Sequence, residues 1–255
     1  MRGLGGKTAI VTGGGGGIGR AICLRLAAEG CAVGVLDLAD DAARAVAAEI
    51  MTRGGTARAV TVDIADIAAV RTATAAVEAA CGASEILVNN AGFDVFKPFL
   101  ESNPEEWERL IAVNFKGPLN LLHAVLPGMV ARRRGRVVNI ASDAARVGSS
   151  GEVVYSGCKG AVVAMGKALA REVAGSGITI NAVCPGPTDT ALLARVAQSS
   201  GRPERLLEAF RRAIPMRRLG QPDDIPGLVA FLASDDAAFL TGQVISVSGG
   251  LTMNG

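Results

Sequence analysis

The 255 residues carry 26 Lys plus Arg against 24 Asp plus Glu, a formal charge of +2, without the basic surplus that a nucleic-acid partner requires. Hydrophobic residues at 49% and charged residues at 20% exclude a disordered chain and predict a sizeable core. One His and five cysteines with no C-x-x-C pair exclude a His-rich metal site within one chain and argue against a disulfide framework, so reduced thiols and a cytoplasmic location are expected.

From the N-terminus the pattern alternates strand and helix. Lys7–Thr12 (KTAIVT) reads as a strand that runs straight from the chain start, so no signal peptide is expected. Gly17–Gly30 has helical spacing through Ile22, Leu24 and Leu26. Ala32–Asp37 is the next strand, Asp40–Arg53 an Ala-rich helix, and Ala57–Val62 a third strand. Asp66 can cap a helix through Cys81, and Ile86–Asn89 is a fourth, fully apolar strand. Asn103-Pro104-Glu105-Glu106 is a strong helix start, and a second helical stretch covers Pro118–Arg134. Arg136–Ala141, Ile178–Val183 and Val244–Val247 are the remaining strands, with helices at Val153–Ala174 and Gln221–Ala233. Near-continuously apolar strands separated by helices predict one α/β domain over 1–255. It is a Rossmann-like, doubly wound parallel sheet of about seven strands with helices on both faces. No apolar run approaches the ~18 residues of a membrane span.

The first strand runs into Thr12-Gly13-Gly14-Gly15-Gly16-Gly17-Ile18-Gly19 and then a helix. Glycines there permit a tight turn and close approach of backbone N–H groups to a pyrophosphate, with the helix N-terminus adding partial positive charge. Asp37 closes the second strand near the ~20-residue offset of a carboxylate that binds adenosine ribose hydroxyls. Leu38 follows it and Gly16 precedes Gly17, so no basic residue awaits a 2′-phosphate, and NAD is expected over NADP.

Tyr155, the chain's one Tyr, lies four residues before Lys159 in a predicted helix, which puts both side chains on one face. Moving a Tyr pKa from about 10 to near 7 takes roughly 4 kcal/mol, within reach of one ammonium and an oxidised nicotinamide ring. A Tyr so tuned is a general base for an alcohol. Ser142 follows the fifth strand and Asn89-Asn90-Ala91-Gly92 ends the fourth, at the edge where doubly wound folds bind ligands. Asn114 shares a helical row with Trp107, Leu110 and Ile111, and a polar residue on such a row calls for a specific partner.

Thr12-Gly13-x-x-x-Gly17-x-Gly19, Asn89-Asn90-Ala91-Gly92, Asn114, Ser142, Tyr155-x-x-x-Lys159 and Pro185-Gly186 together resemble the short-chain dehydrogenase/reductase family over essentially the whole chain. The resemblance implies a catalytic set of Asn114, Ser142, Tyr155 and Lys159. Tyr155 would be the acid/base, Lys159 the ribose ligand that lowers its pKa, Ser142 the support of the substrate oxygen, and Asn114 part of a proton relay. It also implies NAD contacts from Gly13, Gly16, Gly17, Ile18, Gly19, Asp37, Leu38, Asp63, Ile64, Asn90, Ala91, Gly92, Pro185, Gly186, Thr188 and Thr190, besides Tyr155 and Lys159. A homotetramer is implied too, with the helices around Asn103–Arg134 and Val153–Ala174 at its contacts and small residues Ala161, Ala164, Gly166 and Ala168 permitting close approach.

Gly92–Phe99, Ser142–Glu152, Cys184–Leu193 and Val247–Gly255 are further similar to family members that oxidise an alicyclic 2-hydroxyacyl-CoA in the degradation of aromatic and alicyclic acids. That implies a small-molecule substrate, a hydroxyacyl-CoA ester. Arg195, Arg202, Arg205, Arg211 and Arg212 are candidates for its CoA portion, and Phe93, Phe96, Val147, Leu192 and Leu193 for an apolar pocket. Arg132-Arg133-Arg134 precedes the fifth strand, roughly 20 Å from Ser142 at ~3.3 Å per residue, and reads as a solvated turn. His123, among Leu121, Leu122, Val125 and Leu126, reads as a packed helix residue. Alternatives are a 3-oxoacyl reductase, another cyclic-alcohol dehydrogenase of the family, or a non-catalytic dinucleotide sensor.

Overall fold

The computed structural model describes residues 1–253. Its strands are β1 (Thr8–Thr12), β2 (Ala32–Asp37), β3 (Thr56–Thr61), β4 (Ser84–Asn89), β5 (Gly135–Ile140), β6 (Ile178–Pro185) and β7 (Val244–Val247). All pair in parallel in one sheet, in the order β3-β2-β1-β4-β5-β6-β7. Chain order reverses between β1 and β4, and the crevice at their carboxyl ends is where such a sheet takes a ligand.

Alternating side chains explain why both faces are covered. Ala9 and Val11 of β1, with Val33 and Val35 of β2, meet Ile22 and Leu26 of α1 (Gly17–Ala28). Val46 and Ile50 of α2 (Asp40–Thr52) complete that side with Val229 and Leu232 of α10 (Pro226–Ala233). Ile10 and Leu36 point the other way. They pack on Val70 and Val77 of α3 (Ile67–Cys81), Leu121 and Val125 of α5 (Gly117–Arg132), and Ala170 of α7 (Val153–Val173). With apolar side chains buried on both faces, a strand cannot show a polar alternation.

Local chemistry sets the helix ends. Asp66 accepts from the Ala68 and Ala69 N–H groups at 2.8 and 3.2 Å, starting α3. Asn103 and Glu106 form a reciprocal capping box at the start of α4 (Pro104–Ile111), with Pro104 in its first turn. The sequence separates α4 from α5; the structure joins them through one π-turn, Ala112–Lys116. Arg133 then ends α5 in a left-handed conformation at φ 53°.

Other differences have local causes. The helix expected over Gln221–Ala233 begins only at Pro226. A 3-10 turn at Pro222–Asp224 precedes it, because proline lacks an N–H and restrains the residue before it. Two helices unassigned from the sequence, α8 (Ala191–Ser199) and α9 (Pro203–Ala213), follow Pro185-Gly186. Gly166 faces the sheet beside Asn139 rather than the outer helix surface. His123 is exposed on α5, not packed. Arg132 and Arg133 donate to the Ser84 and Gly175 carbonyls and Arg134 pairs with Glu85, which places this turn at the amino edge of the sheet. α6 (Ala144–Val147) is a single turn after β5. None of the described helices is long and apolar enough to cross a membrane.

Candidate active site

The crevice at the carboxyl edge is a cleft of about 1190 Å³. Its floor is the loop between β1 and α1. Gly13 stands at φ +62°, and a Cβ there would lie 2.8 Å from the Ala91 Cα. A Cβ at Gly19 would overlap the Gly13 carbonyl oxygen. These contacts leave no room for any side chain, so the loop is drawn tightly under the helix. Gly16 caps α1 without a side-chain bond, which leaves the first-turn N–H groups facing the cleft as an anion site.

Asp37 ends β2 beside this loop. Its Oδ2 accepts from Gly15 N–H at 2.9 Å and its Oδ1 from Ala39 N–H at 3.0 Å, so the carboxylate is fixed before any ligand arrives. Leu38 lines the cleft and is 72% exposed. Asp63 turns back on the Ala65 N–H at 2.9 Å and Ile64 is buried beside Gly117, yet both border the cleft.

The second asparagine of Asn89-Asn90-Ala91-Gly92 has its amide engaged. Asn90 Nδ2 donates to the Thr12 and Gly13 carbonyls at 3.0 and 3.1 Å, and Thr12 Oγ1 accepts from the Asn90 and Ala91 N–H groups. Asn90 therefore ties β4 to the glycine loop. Its neighbour Asn89 bonds Asn139 across the sheet at 2.9 Å. Ala91 and Gly92 line the cleft, as do Gly17 and Ile18.

Ser142 follows β5, and Tyr155 and Lys159 stand one turn apart on α7; all three line the cleft. Ser142 Oγ accepts from the Ala144 N–H at 3.1 Å, and its hydroxyl favours the ionised form of Tyr155. Lys159 Nζ donates to the Ile140 carbonyl at 3.0 Å and lies 5.7 Å from the centroid of the Tyr155 ring. Burial brings the Lys159 ammonium down to about 8. Tyr155 goes the other way: burial, Asp94 and Glu152 push its phenol above the ordinary value, and the Ser142 hydroxyl offsets only part of this. In the site without cofactor, burial and these carboxyls outweigh what favours the phenolate.

Asn114 sits in the π-turn, fully buried behind the cleft rather than lining it. Its Nδ2 donates to the Phe93 and Leu110 carbonyls at 2.9 and 3.0 Å, while its Oδ1 has no protein partner. A Cβ on Gly92 would come 2.7 Å from that Oδ1 and 3.2 Å from Lys159 Nζ, so both polar atoms converge beneath Gly92.

Pro185, Gly186, Thr188 and Thr190 close the far side. Thr188 Oγ1 donates to the Gly186 carbonyl at 2.9 Å and Thr190 Oγ1 to the Thr188 carbonyl at 3.3 Å, so toward a ligand both hydroxyls are left as acceptors. Of the apolar candidates, Phe93, Val147, Leu192 and Leu193 line the cleft; Phe96 instead packs on Gly151. Of the five arginines only Arg195 borders it, and Arg211 and Arg212 share Glu208. The sequence reading missed Asp94, Glu152 and Arg109, which also line the cleft. Its signal was present for two of them: a lone acid in the apolar run Gly92–Phe99, and an acid three residues before Tyr155.

A family model described as enoyl-(acyl carrier protein) reductase matches residues 13–252. Oxidoreductase UcpA of Salmonella typhimurium is 40% identical, over 98% of this chain and 96% of that protein. The 3-oxoacyl-[acyl-carrier-protein] reductase FabG of Staphylococcus aureus is 37% identical, over 97% and 98%. A crystal structure of NAD+-bound xylitol dehydrogenase superposes with a TM-score of 0.93 at 32% identity, covering 98% of this chain and all of that one. The chain belongs to the short-chain dehydrogenase/reductase family. It is an oxidoreductase acting on CH–OH groups.

Proposed function

We propose that the protein is an NAD-dependent dehydrogenase that oxidises 2-hydroxycyclohexanecarboxyl-CoA to 2-oxocyclohexanecarboxyl-CoA. The observation that carries the cofactor half is the fixed Asp37 carboxylate beside the uncapped start of α1. The N–H groups suit a pyrophosphate and the carboxylate suits a ribose diol, while a 2′-phosphate would meet like charge. NAD, when bound, accepts the hydride.

The chain's own residues handle the proton and the orientation. Tyr155 Oη takes the carbinol proton, and the Ser142 hydroxyl holds the same oxygen. Lys159 and Asn114 Oδ1 converge beneath Gly92, where Lys159 binds ribose and the buried amide oxygen supports proton passage. The apolar wall of Phe93, Val147, Leu192 and Leu193 suits a carbocycle. Arg195, at the cleft border on α8, suits a CoA phosphate outside the pocket. The four segments similar to alicyclic hydroxyacyl-CoA dehydrogenases include both loops that flank Tyr155 and Ser142.

The substrate test is steady-state kinetics on 2-hydroxycyclohexanecarboxyl-CoA, its free acid and linear 3-hydroxyacyl-CoA esters. The expected result is a clear preference for the cyclic thioester, with the free acid losing turnover as well as affinity because CoA binding energy positions the carbinol. Preference for the linear esters would instead support a 3-oxoacyl reductase, the activity named for the relative at 37% identity. For the cofactor, Asp37→Ala is expected to weaken NAD by roughly tenfold, the loss of hydrogen bonds to a charged group, while relaxing rejection of NADP. Equal catalytic efficiency with both cofactors in the unaltered protein would overturn the assignment.

The same reading makes the protein a cytoplasmic homotetramer. All five cysteines are free, as a reducing compartment requires. Leu100 at 95% and Phe239 at 102% exposure are large apolar side chains that a symmetric assembly would cover. Light scattering at micromolar protein reads the mass directly, and a monomer mass would refute the tetramer.

A further inference from the structure

Where the Ser142 hydroxyl stands depends on where its turn stands. Its Oγ accepts from the Ala144 N–H at 3.1 Å, a bond made within that turn. Two backbone bonds tie the turn to β6: Ala141 N–H donates to the Val183 carbonyl at 2.8 Å, and Asp143 N–H to the Pro185 carbonyl at 3.0 Å. A third tie comes from the Asp143 side chain. Asp143 stands at the N-cap of α6, where an Asp ordinarily accepts from first-turn N–H groups, yet its side chain makes no capping bond. Its Oδ1 instead accepts from the Ser246 hydroxyl of β7 at 2.5 Å. β6 lies between β5 and β7, so this side chain reaches past the end of one strand to fasten on the next.

Ser246 is held in turn. Its Oγ accepts from Arg146 Nη1 at 3.1 Å, and the same Nη1 donates to the Val244 carbonyl at 3.2 Å. Guanidinium donates to hydroxyl and hydroxyl donates to carboxylate, a directed chain with a charge at each end that strengthens the bond between them. Lys159, also buried at this edge, is committed to the Ile140 carbonyl. Asp143 is only 5% exposed, and a carboxylate so buried is costly unless hydrogen bonds and charge compensate it. Capping α6 does not explain an acid here, whereas the bond to β7 does. Ser246 itself does not line the cleft, so it can affect the reaction only through what it holds.

We propose that Asp143 is a positioning residue for the reaction: bonded to Ser246, and through it to Arg146, it fastens the turn after β5 to β7 and so sets the Ser142 hydroxyl against the carbinol oxygen. This rests on the dehydrogenase reading and deepens it by extending the support of Ser142 to the last strand of the sheet. It does not depend on which alcohol is oxidised, so any substrate turned over in the kinetic comparison above serves for the test.

The experiment measures kcat, KM and NADH affinity for Ser246→Ala, Ser246→Thr, Asp143→Ala and Asp143→Asn, and repeats Ser246→Ala on a Ser142→Ala background. Ser246→Ala removes the hydroxyl and Ser246→Thr keeps it; Asp143→Asn keeps an oxygen that can accept from Ser246 and Asp143→Ala does not. Both alanine variants are expected to lower kcat about tenfold with NADH affinity held within about twofold, part of the roughly hundredfold that a misplacement of about 1 Å costs. Ser246→Thr and Asp143→Asn are expected to stay within about threefold of the unaltered enzyme, because the bond between the two side chains survives. On the Ser142→Ala background, Ser246→Ala should cost less than about twofold further, since no hydroxyl is left to misplace. A general loosening of the fold would instead lower kcat equally in both backgrounds and weaken NADH alongside, and either result overturns the proposal. So does an unchanged kcat in Ser246→Ala, a Ser246→Thr as slow as Ser246→Ala, or an Asp143→Asn that raises KM at unchanged kcat, which would make Asp143 a direct substrate contact. Should Ser246→Ala not fold, Asp143→Ala and Asp143→Asn on the two backgrounds read the same cycle. Equal losses in both backgrounds, with turnover falling in Ser142→Ala alone, strike the tie to β7 and leave the dehydrogenase reading; full turnover in Ser142→Ala strikes the role given to Ser142, and the tie with it.

Discussion

Tyr155→Phe is expected to lower kcat for alcohol oxidation by about a thousandfold while NAD binds as before, the size of effect that loss of a positioned general base produces. The substitution keeps the ring that packs in the cleft and removes only the oxygen that exchanges a proton. Neither His123, Lys159 nor Ser142 is placed to take over. His123 is exposed on α5, away from the cleft. Lys159 Nζ is committed to the Ile140 carbonyl, and the Ser142 hydroxyl is too weak an acid and base to serve alone. Burial and the Asp94 and Glu152 carboxyls hold the phenol above its ordinary pKa, so the base form grows as pH rises. Oxidation by the unaltered enzyme is therefore expected to climb from neutral into alkaline pH, and that slope should vanish in the Phe variant. Pre-steady-state measurement of NADH formation against pH reads both effects. Activity within tenfold of the unaltered enzyme would move the base to Asp94 or Glu152.

Much of this was legible from the sequence because the signals are local. The β1 turn needs glycine where a Cβ would strike Ala91 or Gly13, and a strand–glycine–helix pattern announces it. Asp37 closes an apolar run, and Tyr155 and Lys159 share a helix face by spacing alone. Both faces of β1 and β2 are buried, so their near-continuous apolar character reads directly as parallel sheet. What escaped detection depends on tertiary approach. Asp94 and Glu152 are 58 positions apart and come to line one cleft only when β4 and α7 are in place. The π-turn around Asn114 adds one residue to a helical turn without any proline or glycine inside it to mark the place. The α8–α9 segment offers arginines and leucines at helical spacing, but the preceding Pro185-Gly186 turn and Thr188 loop obscure where a helix begins. The sign of the Tyr155 shift was likewise hidden, since it depends on how deeply the phenol is buried and which carboxyls the fold brings near.

Gly19→Ala is expected to weaken NAD binding by about 100-fold, the upper range of the cost of forcing one methyl into a packed site. The new Cβ would overlap the Gly13 carbonyl oxygen and stand 2.5 Å from Asn90 Nδ2. Neither obstacle is the free end of a flexible side chain. The Gly13 carbonyl is backbone, and Asn90 Nδ2 is held by the Thr12 and Gly13 carbonyls at 3.0 and 3.1 Å. Relief therefore requires the glycine loop to lift away from α1, which spoils the approach of its N–H groups to a pyrophosphate and loosens the tie to β4. The same movement should lower the thermal midpoint, because Asn90 loses the part-buried bonds that tie β4 to the glycine loop. Gly175→Ala is the control, since no atom lies within 4 Å of a Cβ built there and the position is remote from the cleft. Titration of NADH fluorescence with each variant, alongside thermal unfolding, measures both effects. Affinity for NADH within threefold of the unaltered protein in Gly19→Ala would show that the loop does not depend on this close approach, and the cofactor would then have to be held chiefly by Asp37 and the far wall at Thr188 and Thr190.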